Sequence, residues 1–390
     1  MNRGKYVFAQ IMECVPRHDF DKCIKKYKGE RYTKSFSCRD QFLAMAFGQL
    51  SYRESLRDVV TCLTSHKQKN YHLGFMSSVA LSTLAYANEK RNWRMYRDLA
   101  QVLITTAKKL YVDETNIAED IKNSCYAIDS SSIDLCLSLF KWSPYVKTKA
   151  AIKLHMVLDI QGSIPTFFDM TSGKVADVTF LDSMTYEPDA FYILDRGYID
   201  YTRLYRIHTS GAFFVTRAKV NSKLTRRYSR PVDKTTGVIS DQIVCLSKRA
   251  TVTQYKDIIR RISYRDKETN HYYVFITNNL KVSAYSIALL YKNRWQVELF
   301  FKWIKQHLKI KTFWGYTENA VKTQICIALC VYLIVAILKK RLKLKQNLYE
   351  ILQILSISLF DKSLISELFS DIRLQKEEES AQKPLSLLGF

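Results

Sequence analysis

The spacing of apolar positions changes character twice along the chain. Up to about residue 118, apolar residues recur at helical intervals. Ser51-x-x-Glu54 has the pattern of a capping box and opens a stretch with Leu56, Val59, Val60 and Leu63 on one helical face. A loop runs through Gly74. After Ser82, the spacing of Leu84, Tyr86 and Ala87, then of Trp93, Tyr96, Leu99 and Leu103, predicts helix from Thr83 to Leu110. Lys90 to Arg94 interrupts it with basic residues. Two helices joined in this way fit a helix-turn-helix reader of DNA; they fit equally a helical bundle with a solvated basic face.

Between residues 124 and 217 the pattern turns to short apolar runs bounded by turn residues, as strands require. Cys125–Ile128 and Ala151–Leu158 read as strands, Gln161-Gly162 as a turn, and Ser163–Phe168 as the hairpin partner. Ala190–Leu194 is a continuous apolar run, as in a central strand buried on both faces. A helix over Tyr201–His208 and a strand over Ala212–Val215 follow. Residues 218 to 270 are dense in Lys, Arg, Thr and Ser, with β-prone pieces at Gly237–Ile239 and Gln242–Leu246. Strand pattern returns at Tyr272–Thr277, then one long helix over Ser283–Leu308 and another over Glu318–Leu342. Arg373–Phe390, with three successive glutamates, reads as a loose tail. There is no internal repeat. The expected class is α/β, divided into a helical segment 1–118, an α/β core 119–217, a β-rich insertion 218–281, a return to the core over 282–345, and a C-terminal helical segment and tail 346–390.

Composition sharpens this picture. Of 390 residues, 47% are hydrophobic and 25% charged, which excludes wholesale disorder, and the 11 Gly and 6 Pro exclude collagen-like and low-complexity chains. Sixty Lys and Arg against 37 Asp and Glu leave a net charge of +23. Residues 196 to 297 alone hold 20 basic side chains against 6 acidic ones. Such a surplus favours a polyanionic partner, nucleic acid first and an anionic membrane second. Nine Cys without a CxxC, and seven scattered His, suggest neither a disulfide framework nor a zinc site. Cys326 and Cys330 read as buried thiols. Gln10 and Glu13 break any apolar N-terminal run, so no secretory signal is expected. The uncharged run Thr323–Leu338 is shorter than the roughly 20 residues a bilayer needs and reads as a core helix, with a membrane helix as the alternative. A reducing, cytoplasmic location follows.

Three carboxylates stand out by placement. Asp129 and Asp195 each follow an apolar strand, and ligands of open α/β sheets gather at the carboxyl ends of strands. An Asp after a strand is also an ordinary turn or cap residue. Glu298 lies in Tyr291-x2-Arg294-x3-Glu298-x6-Lys305. At about 100° per residue, those four positions fall within about 60° of one another, a narrow polar stripe on a helix otherwise apolar and aromatic. An Arg294–Glu298 pair at i,i+4 accounts for only two of the four. Three carboxylates in one cleft raise each other's pKa unless a cation neutralises them. Mg²⁺ suits such oxygen donors, and a pair of ions can activate water or a 3′-hydroxyl against a phosphodiester. Arg294, Lys305 and Tyr291 beside them would hold phosphates. Charge and carboxylates thus point to DNA or RNA.

These residues carry a resemblance to the DDE transposases of the IS4 family of bacterial insertion sequences. Tyr291, Arg294, Glu298 and Lys305 match that family's YREK signature, and Leu194-Asp-Arg-Gly-Tyr-Ile-Asp-Tyr201 resembles its second-Asp motif. Ile128-Asp129-Ser130 resembles the first-Asp segment. The 102 residues between Asp195 and Glu298, filled with β structure, are also a family trait, and Ser51–Asp58 and Leu81–Asn88 resemble its N-terminal region. The resemblance implies an RNase H-like core interrupted by a β-rich insertion, with an N-terminal helical DNA-binding domain and a C-terminal helical region. It implies Asp129, Asp195 and Glu298 as catalytic ligands of Mg²⁺, for which Mn²⁺ substitutes. Tyr291, Arg294, Lys305 and Arg217 would contact DNA phosphates. The reaction would be cut-and-paste transposition through a DNA hairpin, by a homodimer on double-stranded DNA with no membrane involved. Relatives stabilise a flipped base in the hairpin with a Trp of the insertion. Residues 218 to 290 contain none, so Tyr272, Tyr273 or Phe275 stacks in its place or the hairpin step differs. Two other readings stay open: a non-catalytic DNA-binding regulator derived from a transposase, and a stand-alone RNase H-type nuclease.

Overall fold

The computed structural model describes residues 4–111, 118, 120–146, 149–220, 222–247, 252–310 and 312–369; the tail from Arg373 lies outside them. The chain divides into two compact units, Met1–Leu110 with Gln306–Phe390, and Tyr111–Lys305.

The first unit is helical: α1 (Val7–Met12), α2 (Arg17–Lys26), α3 (Cys38–Leu50), α4 (Leu56–Ser65), α5 (Leu81–Lys90) and α6 (Arg94–Leu110). The helix over Leu56–Leu63 forms, but its capping box is Ser55 with Asp58, one turn later than Ser51-x-x-Glu54. Ser51 closes α3 instead, where its hydroxyl donates to the Phe47 carbonyl at 2.6 Å. The chain breaks between α5 and α6 at the basic joint read from the sequence.

The long apolar helix is the centre of this unit. Its residues Thr323 to Leu338 are all buried, and it packs on α6, α3 and α5. Hydrophobic burial by neighbouring helices therefore accounts for its composition. Cys326 and Cys330 are buried free thiols on it.

The second unit is built on one sheet of ten strands among the described residues. In chain order they are β1 (Cys125–Leu135), β2 (Pro144–Val146), β3 (Lys149–Asp159), β4 (Ile164–Ser172), β5 (Phe191–Leu194), β6 (Phe213–Arg217), β7 (Leu224–Arg230), β8 (Val238–Leu246), β9 (Ile259–Arg265) and β10 (Tyr272–Thr277). Helix α7 (Tyr201–Thr209) crosses between the parallel strands β5 and β6. The strand order runs β4–β3–β1–β5–β6, with β3 antiparallel to both β4 and β1, and β1, β5 and β6 mutually parallel. The fold is thus mixed α/β.

The basic segment does not leave this sheet. β10 pairs antiparallel with β6, and β9, β8 and β7 follow in order. A buried ion pair ties it down: Arg260 on β9 donates through Nε and Nη2 to the two carboxylate oxygens of Asp241 at 2.9 and 2.8 Å. Its Nη1 donates to the carbonyls of Asn279 and Val282. Those carbonyls precede Ser283, the N-cap of helix α8 (Ala284–Lys292).

The stretch read as one helix from Ser283 is two. α8 ends at Lys292, and α9 (Trp295–His307) begins after a two-residue break. Asn293 makes the break: its backbone N–H bonds the carbonyls of Leu289 and Leu290, and its side-chain amide donates again to Leu289 at 2.9 Å. A short polar side chain that bonds the preceding turn competes with helix continuation. Beyond α9, α10 (Glu318–Arg341), the helix described above, and α11 (Leu348–Ser358) belong to the helical unit.

Candidate active site

Register fixes the core of the site. The last parallel pairs are Ile128 with Leu194 and Leu194 with Thr216. Asp129, Asp195 and Arg217 are each the next residue on three neighbouring strands, at steps of about 4.8 Å. Asp195 ends β5, as read from the sequence, and caps the turn Arg196–Tyr198. Asp129 does not end its strand. β1 continues to Leu135 because its antiparallel partner β3 runs on beside it, with Asp129 opposite Met156. The strand end that matters is the end of its pairing with β5.

The α8–α9 break brings the remaining residues to this row, where an unbroken helical stripe does not exist. Arg294, in the break, donates to Asp129 Oδ2 at 3.3 Å and to Glu298 Oε1 at 2.5 Å. Tyr291, at the end of α8, donates its hydroxyl to Asp195 Oδ1 at 3.4 Å, and Arg217 Nη2 lies 3.4 Å from the same oxygen. The guanidinium groups of Arg217 and Arg294 stand 5.6 and 5.7 Å from the Tyr291 ring, near enough for cation–π attraction. Lys305, farther along α9, donates from its ammonium to the Ser132 carbonyl of β1 at 2.7 Å. The Nε atoms of Arg217 and Arg294 are buried and have no hydrogen-bond partner among the described residues.

The two aspartates differ in acidity. Burial raises Asp129 to about 6, against the N–H of Ser130 and the charge of Arg294, while the charges of Glu298 and Asp195 add to the rise. Burial also pushes Asp195 up, but the N–H groups of Arg196 and Gly197 and the charges of Arg294 and Arg217 outweigh it and hold this carboxyl below its ordinary value. Asp129 therefore binds a proton more tightly in the folded chain than in the unfolded one, whose carboxyl sits at the ordinary 3.8. Its stabilising contribution is fully present below that value and is lost as pH rises through about 6. In divalent-free buffer, Asp129→Asn should gain in melting temperature over the native chain as pH rises from about 4 to about 7. An offset constant with pH would show instead that Asp129 titrates normally.

Among the described residues, no group of three or more His, Cys, Asp or Glu forms a ready-made metal cage; the Arg294 guanidinium bonds both Asp129 and Glu298. The donor chemistry nevertheless fits a hard divalent ion. It offers carboxylates without thiolate or imidazole, and one of them is driven towards protonation by burial and by its fellow acids.

Two concavities share lining residues with this site, Arg217 in both and Tyr291 and Arg294 in one. One, of about 250 Å³, is walled in part by Tyr264, Tyr273, Phe275, Tyr291 and Trp295. Trp295 lies just past the insertion and is half exposed there; its place on the first turn of α9 was hidden by reading that stretch as one helix. The other, of about 640 Å³, is lined by Arg196, Arg217, Lys219 and Arg261 with Tyr272 and Tyr273, and no carboxylate lines it.

A family model described as "Transposase DDE domain" matches residues 121–334, and one described as "Domain of unknown function (DUF4372)" matches residues 3–76. The chain belongs to the DDE transposase family of bacterial insertion sequences. It is 35% identical over 214 residues to "Putative transposase y4zB" of Sinorhizobium fredii, covering 54% of this chain and 59% of that one. It is 30% identical over 223 residues to "Probable transposase for insertion sequence element IS5377" of Geobacillus stearothermophilus, covering 56% and 58%. With "Putative transposase for insertion sequence element IS4SA" of Synechocystis the identity is 25% over 268 residues, 67% and 72% of the two chains. The chain thus matches under three-fifths of the length of the first two relatives. A piggyBac transposase synaptic complex with hairpin DNA superposes over 99% of this chain and 87% of that one with a TM-score of 0.47 at 10% identity. So slight a likeness leaves the fold to be argued from the strand order.

Proposed function

We propose that the protein is a divalent-ion-dependent DNA transposase that cuts its element's ends and joins the freed 3′-hydroxyl to target DNA. One observation carries this reading: Asp129 and Asp195 fall side by side beyond their last parallel pair, with Arg294 joining Asp129 to Glu298. The strand order β4–β3–β1–β5–β6, three strands antiparallel and two further ones parallel, supports an RNase H-like core with β7–β10 as the insertion.

Asp129, Asp195 and Glu298 would hold Mg²⁺, or Mn²⁺ in its place. The ions, when bound, supply a nucleophilic oxygen and charge for the leaving one. Tyr291, Arg217 and Arg294 would orient the phosphate, the two arginines through their guanidinium charge. Lys305 would take a neighbouring phosphate. The carboxylate-free basic groove repels cations and draws the phosphate backbone of the flanking strand. End recognition by the helical unit, a dimer assembled on DNA, a hairpin intermediate and action in the bacterial cytoplasm belong to the same reading.

The test is incubation of the purified chain with linear DNA carrying the element's ends, with and without Mg²⁺. Cleavage at the ends followed by strand transfer is expected. Tight, salt-sensitive binding without nicking in Mg²⁺ or Mn²⁺ would identify a non-catalytic regulator, and cleavage without transfer a nuclease.

A further inference from the structure

Past Ile128, β1 has lost its partner β5 and is held by the ladder only on its β3 side. The peptide that carries Asp129 therefore needs other support. Side chains provide it. The Ser130 N–H donates to Asp129 Oδ1 at 2.8 Å, and the Ser130 hydroxyl donates to Asp177 Oδ1 at 2.7 Å. Lys153, on β3, places its ammonium 3.1 Å from the same Asp177 oxygen and donates to the Val175 carbonyl at 2.8 Å.

Tyr198 closes the set from the other aspartate. Its backbone N–H donates to the Asp195 carbonyl at 3.0 Å, which anchors it to the turn that Asp195 caps. Its side chain is 3% exposed, and its hydroxyl is buried with no hydrogen-bond partner. That hydroxyl lies beside Ser130, in the field of Asp129, Asp177 and Asp195. A buried hydroxyl without an acceptor is costly. Ser130 Oγ spends its proton on Asp177 and keeps lone pairs free. A small torsional adjustment would let Tyr198 donate to it.

We propose that Tyr198, Ser130, Asp177 and Lys153 form a positioning network that fixes Asp129 relative to Asp195, with Tyr198 linking the two aspartate segments. None of the four is among the residues placed against the phosphate above. The inference rests on the proposed function, because the acid it orients is one that would hold the divalent ion. Outer partners of metal-binding carboxylates commonly govern affinity in this way.

The experiment measures Mn²⁺ binding to the full chain without DNA, by electron paramagnetic resonance, alongside melting temperature and metal-free DNA affinity. Tyr198→Phe, which removes only the hydroxyl, and Asp177→Asn should each weaken Mn²⁺ binding about tenfold. DNA affinity and melting temperature should stay near those of the native chain, and Ser130→Thr should retain Mn²⁺ binding where Ser130→Ala does not. Unchanged Mn²⁺ affinity in both Tyr198→Phe and Asp177→Asn overturns the network. So does a loss in Asp177→Asn as complete as in Asp129→Ala, which would make Asp177 a ligand, or a drop in melting temperature that accounts for the weaker binding. If the native chain itself binds no Mn²⁺, the proposed function fails and not the network alone.

Discussion

Asp195→Ala should abolish metal-dependent DNA cleavage while DNA binding survives. Asp195 sits where two parallel ladders end together, with Asp129 on one side and Arg217 on the other. Its carboxyl is already held in the charged form by backbone N–H groups and arginines, so it is ready to bind a cation at neutral pH. Removing a direct ligand should cost at least about 100-fold in cleavage, more than the loss of an outer partner. Binding should persist, because the substitution deletes a negative charge facing Arg217 and Tyr291 and leaves the basic groove whole. Native and variant chains would be compared by end-cleavage rate in Mg²⁺ and by DNA affinity in chelator. Undiminished cleavage would refute the assignment of Asp195.

The second large effect concerns stability. Arg260 and Asp241 are 1% and 4% exposed, and they form a bidentate pair. Removing Arg260 leaves the buried Asp241 carboxylate facing Arg230, whose Nε is 3.8 Å away; breaking a buried pair typically costs about 3–5 kcal/mol, and the lower end is expected here. Arg260→Leu should destabilise the sheet unit by roughly that amount, and it also strips two carbonyls at the start of α8 of their donor. Because α8 carries Tyr291, cleavage should fall as well. The double variant Arg260→Leu/Asp241→Leu should recover part of the stability, since a well-packed apolar pair often replaces a buried ion pair at little cost. Denaturant unfolding followed by tyrosine and tryptophan fluorescence measures both. Equal stability of the single variant and the native chain would show that the pair contributes nothing.

The strands β5 and β6 and helix α7 were legible because burial on both sides of a central strand leaves a continuous apolar run, and each came within about two residues of its observed bounds. Asp195 followed from that run. Asp129 was singled out for a reason that proved incomplete: the apolar run stops at Ile128, but antiparallel pairing with β3 tolerates the serines beyond it. Periodicity failed at Asn293, whose cap is a matter of one side chain bonding back to Leu289; apolar spacing carries no mark of it. The continuation of the sheet through β10 and β9 depends on pairing between distant segments, which no local pattern records. The bond between Ser130 and Asp177 was missed for the same reason, as nothing near either in sequence shows that they meet.

The helical unit is assembled from two segments that flank the sheet unit in sequence, around a helix that begins at Glu318. On the ribosome, the first 110 residues emerge without the helix that fills their interior. At typical elongation rates of about 5–20 residues per second, they wait on the order of ten seconds or more for it. The sheet unit can close in that interval, but α3 and α6 cannot bury their apolar faces on a helix not yet made. A product truncated within the sheet unit would therefore expose those faces and be cleared or aggregate.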